Sequence, residues 1–437
     1  MKIAVIGLGF VGLSLASVLG SKNFNVIGID SDFKKVEKIR EGKIPFVEPK
    51  LEEILKIGLK KKLNISSKFN EVNSCDFIFI SVGTPQLSDG SIDLTNIKSV
   101  AKTLGKQYQN TTKKFQIIIK STVIPGTTSK IIKILEKSTK KKHEKDFVVI
   151  TNPEFLRESN AIEDTINPHA IILGANNFNS LKKLSEFYRN MHPNTPIIKT
   201  NHQTAEIIKY ANNAFLATKI SFINQIALIC EKIPDSNVED VAKAIGLDPR
   251  IGNLFLKAGP GYGGSCLPKD VKALINFSMD LGVKPLLLTA IDKANRLQVK
   301  EILNKVEKAL GNTYNKQIAI LGVAFKANTD DIRDSISITL IKSLLKRGAN
   351  IIVHDPLALE NTKKVFKNKI SYSDSISNTL KNSNCVIIMT DWHVYQNISN
   401  KDFSTMKNKI IVDSRRMLKN IKQDMQYHAV GIGKLSN

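Results

Sequence analysis

The chain has 437 residues, 42% hydrophobic and 24% charged, with a formal net charge of +24 at pH 7. That balance excludes a disordered or fibrous chain, and the length fits two or three domains, each able to bury a core. The lysines are scattered, without the aromatic interleaving or recognition helix of a nucleic-acid binder, so no nucleic-acid partner is expected; the charge reads as a solvated Lys-rich surface, with a positive field that attracts an anionic substrate as the alternative. The chain opens on Met1-Lys2-Ile3-Ala4-Val5-Ile6-Gly7, with no basic leader or h-region. No apolar run suggests a bilayer span, so a cytoplasmic protein without a membrane partner is expected.

Apolar runs over 2–6, 25–29, 77–82, 116–120, 147–151 and 170–173 alternate with amphipathic stretches over 31–41, 51–59 and 96–108. This alternation predicts βαβ units around a parallel sheet. From about residue 204 the pattern changes. Residues 205–231 contain no Gly or Pro and repeat apolar residues at helical spacing, which predicts a long helix serving as a spine or subunit interface. A Gly- and Pro-rich loop over 259–264 follows, then helix to about 310. A second alternating unit has strands over 317–321, 350–354, 385–389 and 410–413. The predicted fold class is α/β: two Rossmann-like parallel-sheet domains joined by a long helix and a central helical region. The domain bounds expected are 1–200, 201–300 with the Gly-rich loop, and 301–437.

Gly7-Leu8-Gly9-Phe10-Val11-Gly12 follows the first strand directly and opens a helix. Gly7 permits the tight turn, Gly9 lets a pyrophosphate approach the backbone, and Gly12 allows close helix–strand packing. Asp30 ends the second strand, 18 residues after Gly12, where an acid binds a ribose 2′-hydroxyl and repels a 2′-phosphate. NAD is therefore the expected cofactor, with Lys34 and Lys35 close to Asp30. Thr84 and Thr122 stand at later strand ends, where an open α/β sheet places its ligands.

The four cysteines, at 75, 230, 266 and 385, are far apart and show no metal-ligand spacing. Three read as small buried residues. Cys266 differs: it closes the Gly-rich loop in Gly263-Gly264-Ser265-Cys266-Leu267-Pro268-Lys269-Asp270, with Pro268 suited to a first helical turn and Lys269 nearby. Such surroundings lower a thiol pKa and suit a nucleophile. The histidines show no metal spacing and read as surface or loop residues; no metal site is expected.

These residues resemble the UDP-glucose/GDP-mannose dehydrogenase family over nearly the whole chain. The resemblance rests on Gly7–Gly12, Val82-Gly83-Thr84-Pro85, Lys120-Ser121-Thr122, Asn152-Pro153-Glu154-Phe155-Leu156-Arg157-Glu158, the Lys209–Phe215 run, Gly261–Asp270 and Ala324-Phe325-Lys326. It implies a four-electron oxidation of a sugar 6-hydroxymethyl group to a carboxylate, with two NAD+ used in sequence. The catalytic residues it implies are Cys266 as nucleophile, Lys209, Asp270 and Asn213 at the first oxidation, and Glu154 with Thr122 for thioester hydrolysis. The cofactor contacts are Gly7, Gly9, Phe10, Val11, Gly12, Asp30, Lys35, Thr84, Thr122, Glu158, Lys269 and Arg333. The substrate contacts are Glu154, Phe155, Leu156, Lys209, Asn213, Phe255, Leu256, Lys257, Gly263, Lys326 and Arg415, with Arg416 the alternative to Arg415. Arg250 resembles an arginine reaching a neighbouring subunit's substrate, which implies a homodimer or higher homo-oligomer.

The nucleotide-sugar substrate divides the family. Ser265 before Cys266 argues against the N-acetylated branch. Arg157-Glu158-Ser159 and Cys266-Leu267-Pro268 resemble GDP-mannose enzymes, whereas 213–216 and 255–264 resemble the UDP-glucose branch. UDP-glucose is favoured; GDP-mannose and other UDP-hexoses stay open, as does a one-step hydroxyacid dehydrogenase of similar architecture. A basic nucleic-acid-binding or scaffold protein that retains a dinucleotide fold without turnover is the reading from another class.

Overall fold

The computed structural model describes residues 1–419, 421 and 424–433; residues 434–437 of the last expected domain lie outside it. Two compact units divide the chain, Met1–Asn212 and Asn213–Asn437.

The first unit holds β1 (Lys2–Ile6), β2 (Asn25–Ile29), β3 (Leu63–Ser66), β4 (Phe77–Ile80), β5 (Phe115–Ile119), β6 (Phe147–Thr151), β7 (Ile171–Gly174) and β8 (Ile197–Thr200). Its helices are α1 (Phe10–Ser21), α2 (Phe33–Arg40), α3 (Leu51–Lys61), α4 (Thr95–Gln107), α5 (Thr127–Thr139), α6 (Ala161–Ile166) and α7 (Lys182–Met191). The strand order is β3-β2-β1-β4-β5-β6-β7-β8. Strands such as Phe-Ile-Phe-Ile in β4 are apolar throughout because helices bury both faces. α1 is buried from Gly12 to Gly20 and has no acid in its first turn, so its positive N-terminal end is left for an anion.

The first sheet departs from the expected pattern at one end. β7 meets β6 antiparallel, through the single pair Thr151↔Gly174, and β8 then runs parallel to β7. β3 and β8 were not expected from the sequence. Each has four residues, and β8 is partly exposed, so neither shows the continuous apolar run of the central strands.

α8 (His202–Cys230) begins in the first unit and ends in the second. By length and composition it would pass as a membrane-crossing helix, which the sequence reading did not expect. It is a core helix: Ala205, Lys209 and Tyr210 are buried in the first unit, and Ala217, Ile223 and Ala227 in the second.

In the second unit, α9 (Val238–Gly246), α10 (Leu267–Asp280) and α11 (Leu286–Leu310) accompany the rest of α8. Ala214 and Ala217 of α8 pack with Tyr262, Val271 of α10 and Ile291 of α11. The second sheet contains β9 (Gln317–Leu321), β10 (Asn350–His354), β11 (Ser371–Tyr372), β12 (Cys385–Ile388), β13 (Ile410–Asp413) and β14 (Gln426–Ala429). All its pairs are parallel, in the order β11-β10-β9-β12-β13-β14. Its core joins these strands to α12 (Ile336–Lys346) and to Val299, Ile302 and Val306 of α11.

Candidate active site

In the first unit the glycine loop lies where β1 gives way to α1. Gly7 has φ +90°, and a Cβ there would lie 2.9 Å from Val82. A Cβ on Gly12 would lie 1.8 Å from the Gly7 carbonyl oxygen, so helix and turn touch backbone to backbone. Gly9 is the opposite case: no atom stands within 4 Å of a Cβ built there. A side chain at Gly9 would therefore fill open space beside the helix N-terminus, the space a pyrophosphate requires. Asp30 is 8% exposed and accepts hydrogen bonds from Leu8 N at 2.8 Å and Asp32 N at 3.0 Å. Lys35 forms an ion pair with Asp30 at 2.9 Å. Phe10 and Val11 open the helix and are half-buried. The residues fit a dinucleotide.

The remaining residues of this half lie at later strand ends. Thr84 Oγ1 donates to the Thr122 carbonyl at 2.7 Å, which links the loops after β4 and β5. Glu154 follows β6, and its Oε1 lies 3.2 Å from Lys209 Nζ on α8; both side chains are buried. Leu156 N donates to the other oxygen of Glu154. The Lys209 ammonium lies 5.4 Å from the centre of the Phe155 ring. Glu158 is half-buried in the loop after Glu154.

Lys120 also joins this cluster, although the sequence reading assigned it no role. Its Nζ donates to Asn152 Oδ1 at 3.3 Å. Burial pulls its pKa down to about 8, with the Lys209 ammonium lowering it and the Glu154 carboxylate opposing the shift. A lysine directly after a buried apolar strand was the available signal.

The second unit contributes a separate set. Cys266 is exposed at the N-cap of α10, with Pro268 in the first turn and Ser265 Oγ 3.5 Å from its sulfur. Asp270 is 1% exposed and accepts Asn213 Nδ2 at 2.7 Å and Lys269 Nζ at 2.5 Å. The ammonium of Lys269 thus pairs with a carboxylate here. Gly264 N donates to Arg333 O at 3.0 Å, and a Cβ on Gly264 would come within 2.7 Å of the Phe325 ring. A Cβ on Gly263 would lie 2.4 Å from Asp334 O. The cysteine loop is therefore pressed against the segment bearing Lys326 and Arg333. Arg333 itself pairs with Asp331 and is largely exposed.

Phe255 has φ +65°, unusual for a large side chain, and with Leu254, Leu256, Lys257 and Arg416 it lines a cavity of about 250 Å³. Lys257 Nζ lies 3.4 Å from Asp391, another residue the sequence reading passed over. Burial pushes the Asp391 carboxyl up, but Arg415 and Lys257 outweigh it and hold its pKa below the usual value. The two neighbouring arginines separate clearly. Arg415 Nε donates to Met389 O at 2.9 Å, and its Nη1 comes within 3.3 Å of a Cβ built on Gly259. Arg416 is held by Glu239 at 3.1 Å and by the carbonyls of Val430 and Gly431. Arg250 pairs with Asp248 at the surface of the single chain. Among the described residues no group of three or more His, Cys, Asp or Glu could hold a metal ion. The histidines depart from expectation, since His192, His202 and His354 are buried, two of them hydrogen-bonded through Nδ1.

Residues 1–192 match the NAD binding domain of the UDP-glucose/GDP-mannose dehydrogenase family, 203–297 its central domain and 319–420 its UDP binding domain. The chain belongs to the UDP-glucose/GDP-mannose dehydrogenase family. It is an NAD-dependent oxidoreductase, and the open cradle at Gly9 suits that cofactor. A UDP-glucose 6-dehydrogenase of Rickettsia conorii is 39% identical over 439 residues, covering 99% of each chain. A UDP-glucose dehydrogenase from the archaeon Pyrobaculum islandicum superposes with a TM-score of 0.90 at 33% identity, over 99% of this chain and 96% of that one. A UDP-D-ManNAc dehydrogenase from Pyrococcus horikoshii reaches 0.89 at 25% identity, covering 99% of both chains. The same fold thus serves family members named for different sugars.

Proposed function

We propose that the chain oxidises the 6-hydroxymethyl group of UDP-glucose to the carboxylate of UDP-glucuronate through a covalent adduct on Cys266. The observation that carries this reading is an exposed cysteine at a helix N-cap, one turn before a buried Asp270 held by Asn213. UDP-glucose is preferred because the Rickettsia and Pyrobaculum relatives are named for it and the 213–216 and 255–264 segments resemble that branch.

NAD+, held at the Gly7–Gly12 loop and Asp30, would supply the hydride acceptor for each of two oxidations. In the first, Lys209 and Asp270, with a water, take up the hydroxyl proton and stabilise the oxyanion alongside Asn213. The Cys266 thiolate then adds to the aldehyde carbon, and the oxygen takes a proton to give a thiohemiacetal. Loss of the carbon-bound hydrogen as hydride and of the hydroxyl proton leaves a thioester. Glu154 removes a proton from a water positioned by Thr122; the water oxygen attacks the acyl carbon, the C–S bond breaks, and sulfur leaves as thiolate. The second carboxylate oxygen comes from water.

Lys257, Arg415, Lys326 and the Phe255–Leu256 segment hold the nucleotide sugar, because cations suit its diphosphate. The domains divide near 200 and 300. The protein acts in the cytoplasm as a homodimer or larger homo-oligomer: Phe215, Phe222 and Ile229 form an exposed apolar stripe at seven-residue spacing on α8, and exposed Arg250 reaches a neighbouring subunit's substrate.

The decisive experiment counts NADH formed per sugar with purified protein. Two NADH per UDP-glucose are expected, and Cys266→Ser should abolish the overall oxidation, since a serine adduct provides no thioester to hydrolyse. One NADH per substrate would make it a one-step dehydrogenase, two with another nucleotide sugar would correct the substrate, and near-normal turnover by the serine variant would remove the covalent route.

A further inference from the structure

A buried polar chain joins the three segments of the first unit that carry Thr122, Glu154 and Lys209. Glu206, one turn before Lys209 on α8, is 2% exposed. Its Oε2 accepts Gly126 N at 2.6 Å, and its Oε1 accepts Thr128 N and Thr128 Oγ1, each at 2.7 Å. Gly126 is the N-cap of α5, so this carboxylate caps the helix that ends the Thr122 loop. Thr128 Oγ1 lies 2.9 Å from Thr151 Oγ1, which in turn lies 2.9 Å from His202 Nδ1. Thr151 ends β6, three residues before Glu154.

The donors in this chain have one consistent direction. Donors facing both oxygens hold Glu206 as an acceptor, so Thr128 spends its only proton on it. Thr151 must then donate to Thr128, and His202 must donate from Nδ1 to Thr151. Burial pulls the His202 pKa down to about 4, so the ring stays neutral and can hold that tautomer. Each link binds a different element: α8, the start of α5, and the end of β6. The far side of the Thr122 loop is tied separately, by Thr84 Oγ1.

We propose that Glu206 is a positioning residue which, through Thr128 and Thr151, sets the spacing of Thr122, Glu154 and Lys209. Both oxygens of its carboxylate are taken by the start of α5, so it acts through other residues. The proposal rests on the catalytic reading of those three residues given above. A displaced loop changes reaction geometry far more than affinity, because small misplacements of reacting groups cost rate steeply.

The test uses the full chain and the variants Glu206→Gln, Thr128→Val and Thr128→Ser. Thr128→Val removes only the hydroxyl at nearly constant volume, whereas Thr128→Ser keeps it. Glu206→Gln and Thr128→Val should each lower kcat about 10- to 100-fold, with KM and the NADH dissociation constant little changed. Thr128→Ser should stay close to the unaltered protein. If Glu206→Gln does not fold, the Val and Ser pair decides the question alone. Two results overturn the proposal: Thr128→Val turning over as fast as Thr128→Ser, or NADH affinity falling in step with kcat. Thr122→Ala and Lys209→Ala serve as controls. If both lose activity while the network variants do not, only the network proposal fails; if both remain fully active, the catalytic reading fails and takes this proposal with it.

Discussion

The two sheets use the same backbone device at the same place and put it to opposite use. Gly7, directly after β1, has φ +90° and donates to the Ile29 carbonyl at 2.8 Å. Gly322, directly after β9, has φ +96° and donates to the His354 carbonyl at 2.8 Å. The next amide in each case, Leu8 N or Val323 N, donates to the aspartate directly after the neighbouring strand, Asp30 at 2.8 Å and Asp355 at 2.7 Å. From there the two diverge. In the first sheet a helix starts at Phe10, with an open glycine at its cap. In the second, the helix waits until Ile336, and the intervening loop braces the cysteine loop at Gly263 and Gly264. Asp355 is also saturated, accepting Ala324 N, Leu357 N, Ala358 N and Trp392 Nε1 besides Val323 N. One strand end leaves open space beside a helix N-terminus; the carboxylate at the other is saturated by its own chain, and the loop there braces the cysteine loop.

The strongest way to break this comparison is to fill the open end. Gly9 has φ −76° and ψ −165°, a conformation any residue adopts, and nothing stands within 4 Å of a Cβ there. Gly9→Val should therefore fold normally yet weaken NAD binding on the order of 100-fold, about 2.7 kcal/mol. Calorimetric titration with NADH, beside a thermal melt, checks both halves of the expectation. A variant that bound normally would show that the cradle is not the phosphate site.

The closed end should respond in the reverse sense. Asp355→Ala strands several buried donors, which should lower stability by about 2 kcal/mol while leaving NADH affinity intact. Denaturant unfolding and the same titration separate the two effects. Loss of NADH affinity without loss of stability would contradict the division between the sheets.

What the sequence made legible follows the range over which each feature is encoded. The glycine loop, Asp30 and Cys266 are local: a few residues beside a strand or helix end suffice to specify them. The duplicated turn at Gly322 leaves almost no sequence trace, because it is made by backbone amides and one aspartate 33 residues downstream. β3, β8 and β14 interrupt their four residues with exposed or polar positions, and β11 has only two residues, so none presents the continuous apolar run of the strands that were legible. No motif marks the histidines as anything but surface residues, yet His202 is buried, with its Nδ1 against Thr151, remote in sequence. Glu206 was passed over for the same reason, its partners being Gly126 and Thr128. The different carbonyl partners of Arg415 and Arg416, Met389 and Val430, are likewise remote in sequence.

The smallest expected effect concerns how the fifth strand of each sheet ends. β13 ends in Asp413, whose carboxylate is consumed by Arg415 N, Met417 N, Leu418 N and the Tyr427 hydroxyl. β5 instead runs into Lys120, whose ammonium donates to Asn152 Oδ1. Burial lowers the Lys120 pKa to about 8 from an ordinary 10.5. Between those two values the unfolded chain still binds a proton that the folded chain has released, so this group makes stability rise with pH across that window. Below pH 8 both states are protonated, and the cost of burying the ammonium is present in full. Lys120→Met removes the titration, so the melting temperature of the variant, measured relative to the unaltered protein, should fall by a few degrees between pH 8 and pH 10. A difference that stayed constant across that range would mean that the ammonium is solvated, and that the first sheet's open end admits water as far as Asn152.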